Sequence, residues 1–144
     1  LTDFQAALAL GQLDRFAEEL ARRRALADSY RRELQDVVGL PLPDVPTGHS
    51  LQSFMAVLPT AISRNQMIAD LRGVGIETNL GAQALNCLTY YRDKYNLDEQ
   101  SCPVATRLYH SGLTLPLYGT LREKDVLEIC LQMRNLAGGG HGIR

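Results

Sequence analysis

Between Gly39 and Ser50 the chain reads GLPLPDVPTGHS, with Pro41, Pro43 and Pro46 set between two glycines. Proline fixes φ, lacks an N–H and pushes the preceding residue out of the helical region, so this stretch can be neither helix nor interior strand. It reads as an extended linker crossing a surface. It separates a helical part before it from a mixed part after it.

Thr2 to Leu13, TDFQAALALGQL, predicts a helix with Phe4, Ala7, Leu8 and Gly11 on one face. Thr2 and Gln5 have the spacing of a reciprocal capping box. A glycine inside such a pattern costs about 1 kcal/mol against alanine, so Gly11 is expected to mark a place where another backbone comes close. From Asp14 to Val38 the helix continues or restarts, with an apolar stripe of Phe16, Leu20, Ala27, Tyr30, Leu34 and Val37 and Arg23 as its one charged member. Arg22, Arg23 and Arg24 are expected on a solvated face, paired with Glu18, Glu19 and Asp28, rather than as a phosphate-binding cluster.

After the linker, Leu51–Leu58 reads as a first strand, stopped by Pro59. Ser63 to Gln66 forms a second capping box, opening a helix through Arg72 with Met67, Ile68 and Leu71 inward, closed by Gly73 and Gly75. Ile76–Thr78 is the expected second strand. Ser101 is the expected cap of a helix with Pro103 in its first turn, running to Gly112. Leu113–Leu117 is the third strand, and Pro116 places it at an edge or marks the strand's end. Thr120 to Glu123 is read as a further capping box before a last helix with Val126, Leu127, Ile129, Cys130 and Met133 apolar. Gly138–Gly140 starts a flexible tail, which makes His141 a poor ligand.

The fold class expected is α/β: a small three-stranded, mostly antiparallel sheet with helices mainly on one face, preceded by a long N-terminal helix. The expected division is 1–38 as a long helix leading from a large domain, 39–137 as the small α/β domain and 138–144 as the Gly-rich tail.

Composition narrows the function. A net charge of −1 gives no footprint for nucleic acid or an acidic membrane, and no apolar run spans a bilayer. Cys87, Cys102 and Cys130 are odd in number and widely spaced, which argues for free thiols in a reducing, cytoplasmic compartment; they do not combine with His49, His110 and His141 at zinc-site spacing. There is no Gly-rich phosphate loop, no serine nucleophile elbow and no metal-ligand helix motif. Lys94 and Lys124 lie in polar surroundings, without the apolar neighbours that would activate a lysine for Schiff-base chemistry. No catalytic residue is therefore expected in this chain. Asn79–Leu88 has little regular pattern. It fits an ordinary loop, and it also supplies hydrogen-bonding groups at Asn79, Gln83 and Asn86 and a glycine, Gly81, that lets backbone come close to a ligand; Tyr90 and Tyr91 follow.

The order and spacing of several pieces resemble the C-terminal small domain of the DegT/StrS-type nucleotide-sugar aminotransferases, over Thr2 to about Leu136. They are TDFQAAL with Gly11-Gln12-Leu13, the strand before Pro59, Gly75-Ile76-Glu77-Thr78, Tyr90-Tyr91, Cys102-Pro103-Val104-Ala105, and Leu113 to Tyr118. The resemblance implies the aspartate-aminotransferase fold type and an upstream large domain whose lysine carries pyridoxal phosphate (PLP). It implies amino transfer, commonly from glutamate, to a nucleotide-linked keto sugar, and a homodimer with active sites at the subunit boundary. The start at Leu1 rather than Met fits an excerpt from such a protein. This chain would supply a wall of the substrate cleft, with Asn79, Gly81, Gln83, Asn86 and Tyr90 as its candidate substrate-binding residues, and would be inactive alone. Where many members carry His-Tyr and then Pro-Leu-His, this chain has Gly81-Ala82 and Ala84-Leu85-Asn86. An asparagine can hydrogen-bond a sugar or phosphate but cannot act as acid or base. The other readings are the small domain of a PLP-dependent sugar dehydratase, with histidine for the lysine, and a stand-alone binding or dimerisation module.

Overall fold

A computed structural model describes residues 2–35, 37, 46 and 48–138. Most of the proline-rich linker, and 139–144 with His141, lie outside the described residues; Gly138, the expected first residue of the tail, is instead the last residue of the final helix. The N-terminal helix is broken at Asp14–Arg15 into α1 (Asp3–Leu13) and α2 (Phe16–Leu34). The Thr2–Gln5 capping box forms in both directions. The other elements are β1 (Phe54–Val57), α3 (Arg64–Gly73), β2 (Asn79–Leu80), α4 (Thr89–Tyr95), α5 (Pro103–Ser111), β3 (Gly112–Leu115) and α6 (Glu123–Gly138), with 3-10 turns at Leu85–Cys87 and Glu99–Ser101.

The sheet has the order β1-β3-β2, and β3 is antiparallel to both neighbours. Pairing sets Phe54 opposite Leu115 and Ala56 opposite Leu113, so these four share one face. That face is buried against α2, α3 and α6 in a single cluster that includes Tyr30, Leu34, Met67, Leu71, Val126 and Met133. Phe54 stacks on Tyr30 with ring centroids 5.0 Å apart. The other face carries Met55, Thr114 and Asn79 in one row.

β3 lies in the centre of the sheet, so of the two places open to Pro116 it is the strand's end and not an edge. Pro116 falls just past its end, where its missing N–H interrupts no ladder bond. The second strand is also displaced from Ile76–Thr78 to Asn79–Leu80. The N–H of Ile76 is used to close α3, donating to Leu71 O at 2.9 Å, after Gly75 turns the chain at φ +82°. Three caps differ from expectation. Ser63 accepts from Gln66 N–H, but the Gln66 side chain donates to Asp70 instead of returning. Ser101 closes a 3-10 turn with Asp98, and Cys102 precedes α5. Before α6, Arg122 N–H donates to Asp125 Oδ2, two residues after the expected cap at Thr120.

Among the described residues the three consecutive arginines form no ion pair with Glu18, Glu19 or Asp28. Each donates to backbone carbonyls across the fold: Arg22 to Leu121, Arg23 to Leu51, Gln52 and Leu117, and Arg24 to His49. Arg23 thus lies in the apolar stripe because it ties α2 to the entrance of β1 and the exit of β3. Leu51, whose carbonyl it holds, is buried with a left-handed φ of +47°. Within this chain the α1 face finds no covering partner among the described residues. Phe4 is 74% and Leu8 56% exposed, and a Cβ on Gly11 would meet nothing within 4 Å.

Candidate functional site

The segment from β2 to α4 carries the five candidate residues, and their environments differ. Asn79 is exposed on β2, and its side-chain oxygen accepts from Leu80 N–H at 2.8 Å. Gly81 follows the strand, donating to Gly112 O at 2.8 Å. A Cβ there would lie 2.6 Å from the Gly112 carbonyl carbon and 2.6 Å from Met55 Sδ, so a close approach does occupy this glycine, and it is to β3 and β1. Gln83 is exposed. Asn86 is only 3% exposed. Its amide donates to Asp98 O at 3.0 Å and to Thr106 Oγ1 at 2.8 Å, binding the first 3-10 turn to the second and to α5. Asn86 therefore organises the loop from beneath, and Gln83 and Tyr90 present its outer groups.

Tyr90 opens α4 beside Tyr91, edge to face at 5.2 Å. Its hydroxyl accepts from Lys94 Nζ at 2.8 Å, and the ammonium also lies over the rings of Tyr90 and Tyr95. These groups form a cationic, aromatic surface with hydrogen-bonding capacity. α4 runs to Tyr95 and ends at Asn96, in the left-handed conformation (φ +51°) that asparagine tolerates.

A second grouping was hidden by sequence distance. Cys87 Sγ, a Glu99 carboxylate oxygen and a His110 ring nitrogen lie within 4.8 Å of one another, contributed by the two 3-10 turns and α5. The signal that could have found them is Asn86, whose side chain joins the same three elements. Arg64 was also missed. It is buried, donating to Tyr109 O and Gly112 O at the junction where α5 passes directly into β3.

A model of the DegT/DnrJ/EryC1/StrS aminotransferase family matches residues 1–134. The chain belongs to that family. This DegT/StrS-type chain is similar to Spr1654 of Streptococcus pneumoniae, assigned as a sugar aminotransferase, in its PMP form: TM-score 0.87 and 27% identity, over 97% of this chain and 36% of that one. The PLP form of Spr1654 gives a TM-score of 0.84 at 25% identity, over 99% of this chain and 37% of that one. TlmJ, an aminotransferase of Streptoalloteichus hindustanus, gives 0.77 and 29% identity, over 93% of this chain and 36% of its own. The DegT/StrS-type chain thus spans just over a third of the length of these relatives.

PLP in such enzymes needs a lysine in an enclosed site. Here Lys94 and Lys124 are both exposed. Lys94 is committed to a tyrosine hydroxyl, and Lys124 lies in the first turn of α6. The residues of this chain do not fit the cofactor by themselves. Among the described residues no helix is long and apolar enough to cross a membrane.

Proposed function

We propose that this chain is the C-terminal small domain of a PLP-dependent aminotransferase that passes an amino group, from glutamate, to a nucleotide-linked keto sugar. The observation that carries the reading is the family match over residues 1–134, together with the fold likeness to Spr1654 over 97% of this chain and 36% of that one. PLP is held by an upstream large domain, and the enzyme works as a homodimer in the cytoplasm. The uncovered apolar face of α1, with Phe4 and Leu8, supports a covering partner, and the upstream domain is the one assigned here.

In this reading the chain supplies a wall of the substrate cleft. Asn79, Gln83 and Tyr90 offer hydrogen bonds to the sugar nucleotide, and Lys94 adds a positive charge suited to its diphosphate. Gly81 and Asn86 fix the backbone that presents them. The fragment alone is inactive.

The test starts with the coding DNA upstream of Leu1. The expected result is an in-frame large domain with a lysine at the cofactor position. Its full-length product should form 2-oxoglutarate from glutamate when given a nucleotide keto sugar, and Gln83→Ala should raise KM for the sugar nucleotide more than it lowers kcat. A histidine at that position, with loss of water from the sugar instead of amino transfer, would overturn the aminotransferase reading. For the 144-residue chain, borohydride reduction with PLP should leave no stoichiometric adduct on Lys94 or Lys124; such an adduct would sink the inactivity of the fragment.

A further inference from the structure

The three side chains Cys87, Glu99 and His110 are a thiol, a carboxylate and an imidazole, the donor types that zinc takes up together. Glu99 Oε1 and His110 Nε2 are 3.5 Å apart. Ligands about 2.1 Å from a tetrahedral ion stand roughly 3.4 Å from one another, so this pair already has the edge length of a zinc site. All three donor atoms lie within 4.8 Å of one another, so rotation of exposed or half-exposed side chains closes the remainder.

The backbone under the group is fixed. Asn86 holds Asp98 O and Thr106 Oγ1, and Thr106 Oγ1 donates in turn to Glu99 O at 2.8 Å. Asp98 and Ser101 lock the turn that carries Glu99 through a reciprocal cap. The Cys87 thiol points at Thr106 Oγ1, 3.7 Å away. The ligands thus project from a braced frame, in which Thr106 Oγ1 accepts from the Cys87 thiol while its own proton goes to Glu99 O.

We propose that Cys87, Glu99 and His110 form a zinc-binding site with one coordination position open to solvent. The ion would bond the Cys87 sulfur as thiolate, releasing its proton to solvent, and would replace the His110–Glu99 pairing with two bonds to metal. It would clip the turn at Leu85–Cys87 to α5 and so steady the segment that leads into α4. The inference rests on the geometry of this chain alone, and stands or falls separately from the aminotransferase reading.

The test is a titration of the untagged, metal-free 144-residue chain with Co²⁺, followed by Zn²⁺ competition. The expected result is one ion per chain, with a thiolate-to-cobalt charge-transfer band in the near ultraviolet that Zn²⁺ abolishes. Cys87→Ser should remove the band and Cys102→Ser should leave it. His110→Ala and Glu99→Gln, both at exposed positions outside the core, should each weaken Zn²⁺ binding by at least about tenfold while keeping the helical circular dichroism. No charge-transfer band, a band lost with Cys102→Ser, or unchanged affinity in His110→Ala would overturn the site.

Discussion

The hydroxyl of Tyr30 donates to the carbonyl oxygen of Pro116 at 2.9 Å, from a fully buried ring. The bond fixes α2 against the residue that ends β3. Tyr30→Phe leaves that carbonyl without its donor and should cost roughly 1–2 kcal/mol, read from the urea midpoint at unchanged m-value. Burial also raises the Tyr30 hydroxyl far above its ordinary value of 10.0. A group whose folded pKa is raised contributes stability below its unfolded pKa and loses it as pH rises. Stability should therefore decline above about pH 10, and less steeply in Tyr30→Phe than in the native chain. An equal alkaline slope in both would show that Tyr30 does not govern it.

Arg64 tests how the centre of the sheet is held. Its guanidinium donates to Tyr109 O at 3.0 Å, Gly112 O at 3.2 Å and Asn65 Oδ1 at 2.8 Å, at the junction of α5 and β3. Arg64→Met keeps the apolar stem and strands the Tyr109 carbonyl, while Gly112 O keeps the Gly81 N–H, at a cost of about 1–3 kcal/mol. Arg64→Lys should fall between, because a single ammonium cannot reproduce the planar fork. Chemical denaturation of the two variants, ranked against the native chain, checks the order.

Much of the fold was legible from periodicity and punctuation, and the parts that were not have specific causes. The helices at Phe4, Met67 and Val126 announce themselves by apolar spacing, and the antiparallel α/β class follows from three short strands among them. The second strand was misplaced because Ile76 reads as a β-former, yet its N–H is spent closing α3. The arginine run was misread because a solvated face and a row of carbonyl clamps look alike until the loops they hold, at Leu51, Leu117 and Leu121, are folded back. At the site, the types and order of Asn79, Gly81, Asn86 and Tyr90 could be read, but not that Asn86 faces inward. Nor could the meeting of Cys87 with His110, which depends on tertiary closure around Asn86 and Thr106.

The cysteines should differ sharply in reactivity. Cys130 is fully buried, and burial pushes its thiol up to about 12, so it stays protonated at pH 8. Cys102 is exposed at the start of α5. Brief alkylation of the native chain at pH 8, mapped by mass spectrometry, should modify Cys102 and spare Cys130. Denaturant should then open Cys130 in step with global unfolding. Labelling of Cys130 well before the unfolding transition would mean that α6 leaves the core locally.

Acid stability should depend on Asp125. Hydrogen bonds from the Arg122 guanidinium, at 2.9 Å through both Nε and Nη2, hold its carboxyl below the ordinary carboxylate value, and Arg122 N–H adds to this. Asp98 is lowered in the same direction by Ser101. A depressed folded pKa contributes stability above the unfolded value near 3.8, lost as pH falls through the folded one. Asp125→Asn should lower Tm at pH 7 and flatten its fall below pH 4 relative to the native chain. A Tm difference that persists unchanged at pH 2 would assign the effect to something other than this carboxylate.

Two glycines predict opposite outcomes for the same substitution. At Gly81 a Cβ would stand 2.6 Å from the Gly112 carbonyl carbon, so Gly81→Ala must push β2 away from β3 and should cost about 1–3 kcal/mol. At Gly11 nothing lies within 4 Å and the backbone is helical, so Gly11→Ala should stabilise the isolated chain by roughly 0.5–1 kcal/mol. If the upstream domain covers the Phe4–Gly11 face, as proposed, the same Gly11→Ala should lower the Tm of the full-length protein, since the added methyl then meets a packed surface. Thermal denaturation of the variant in both contexts reads the sign directly. A gain in both would mean that the glycine face of α1 stays open in the full-length protein.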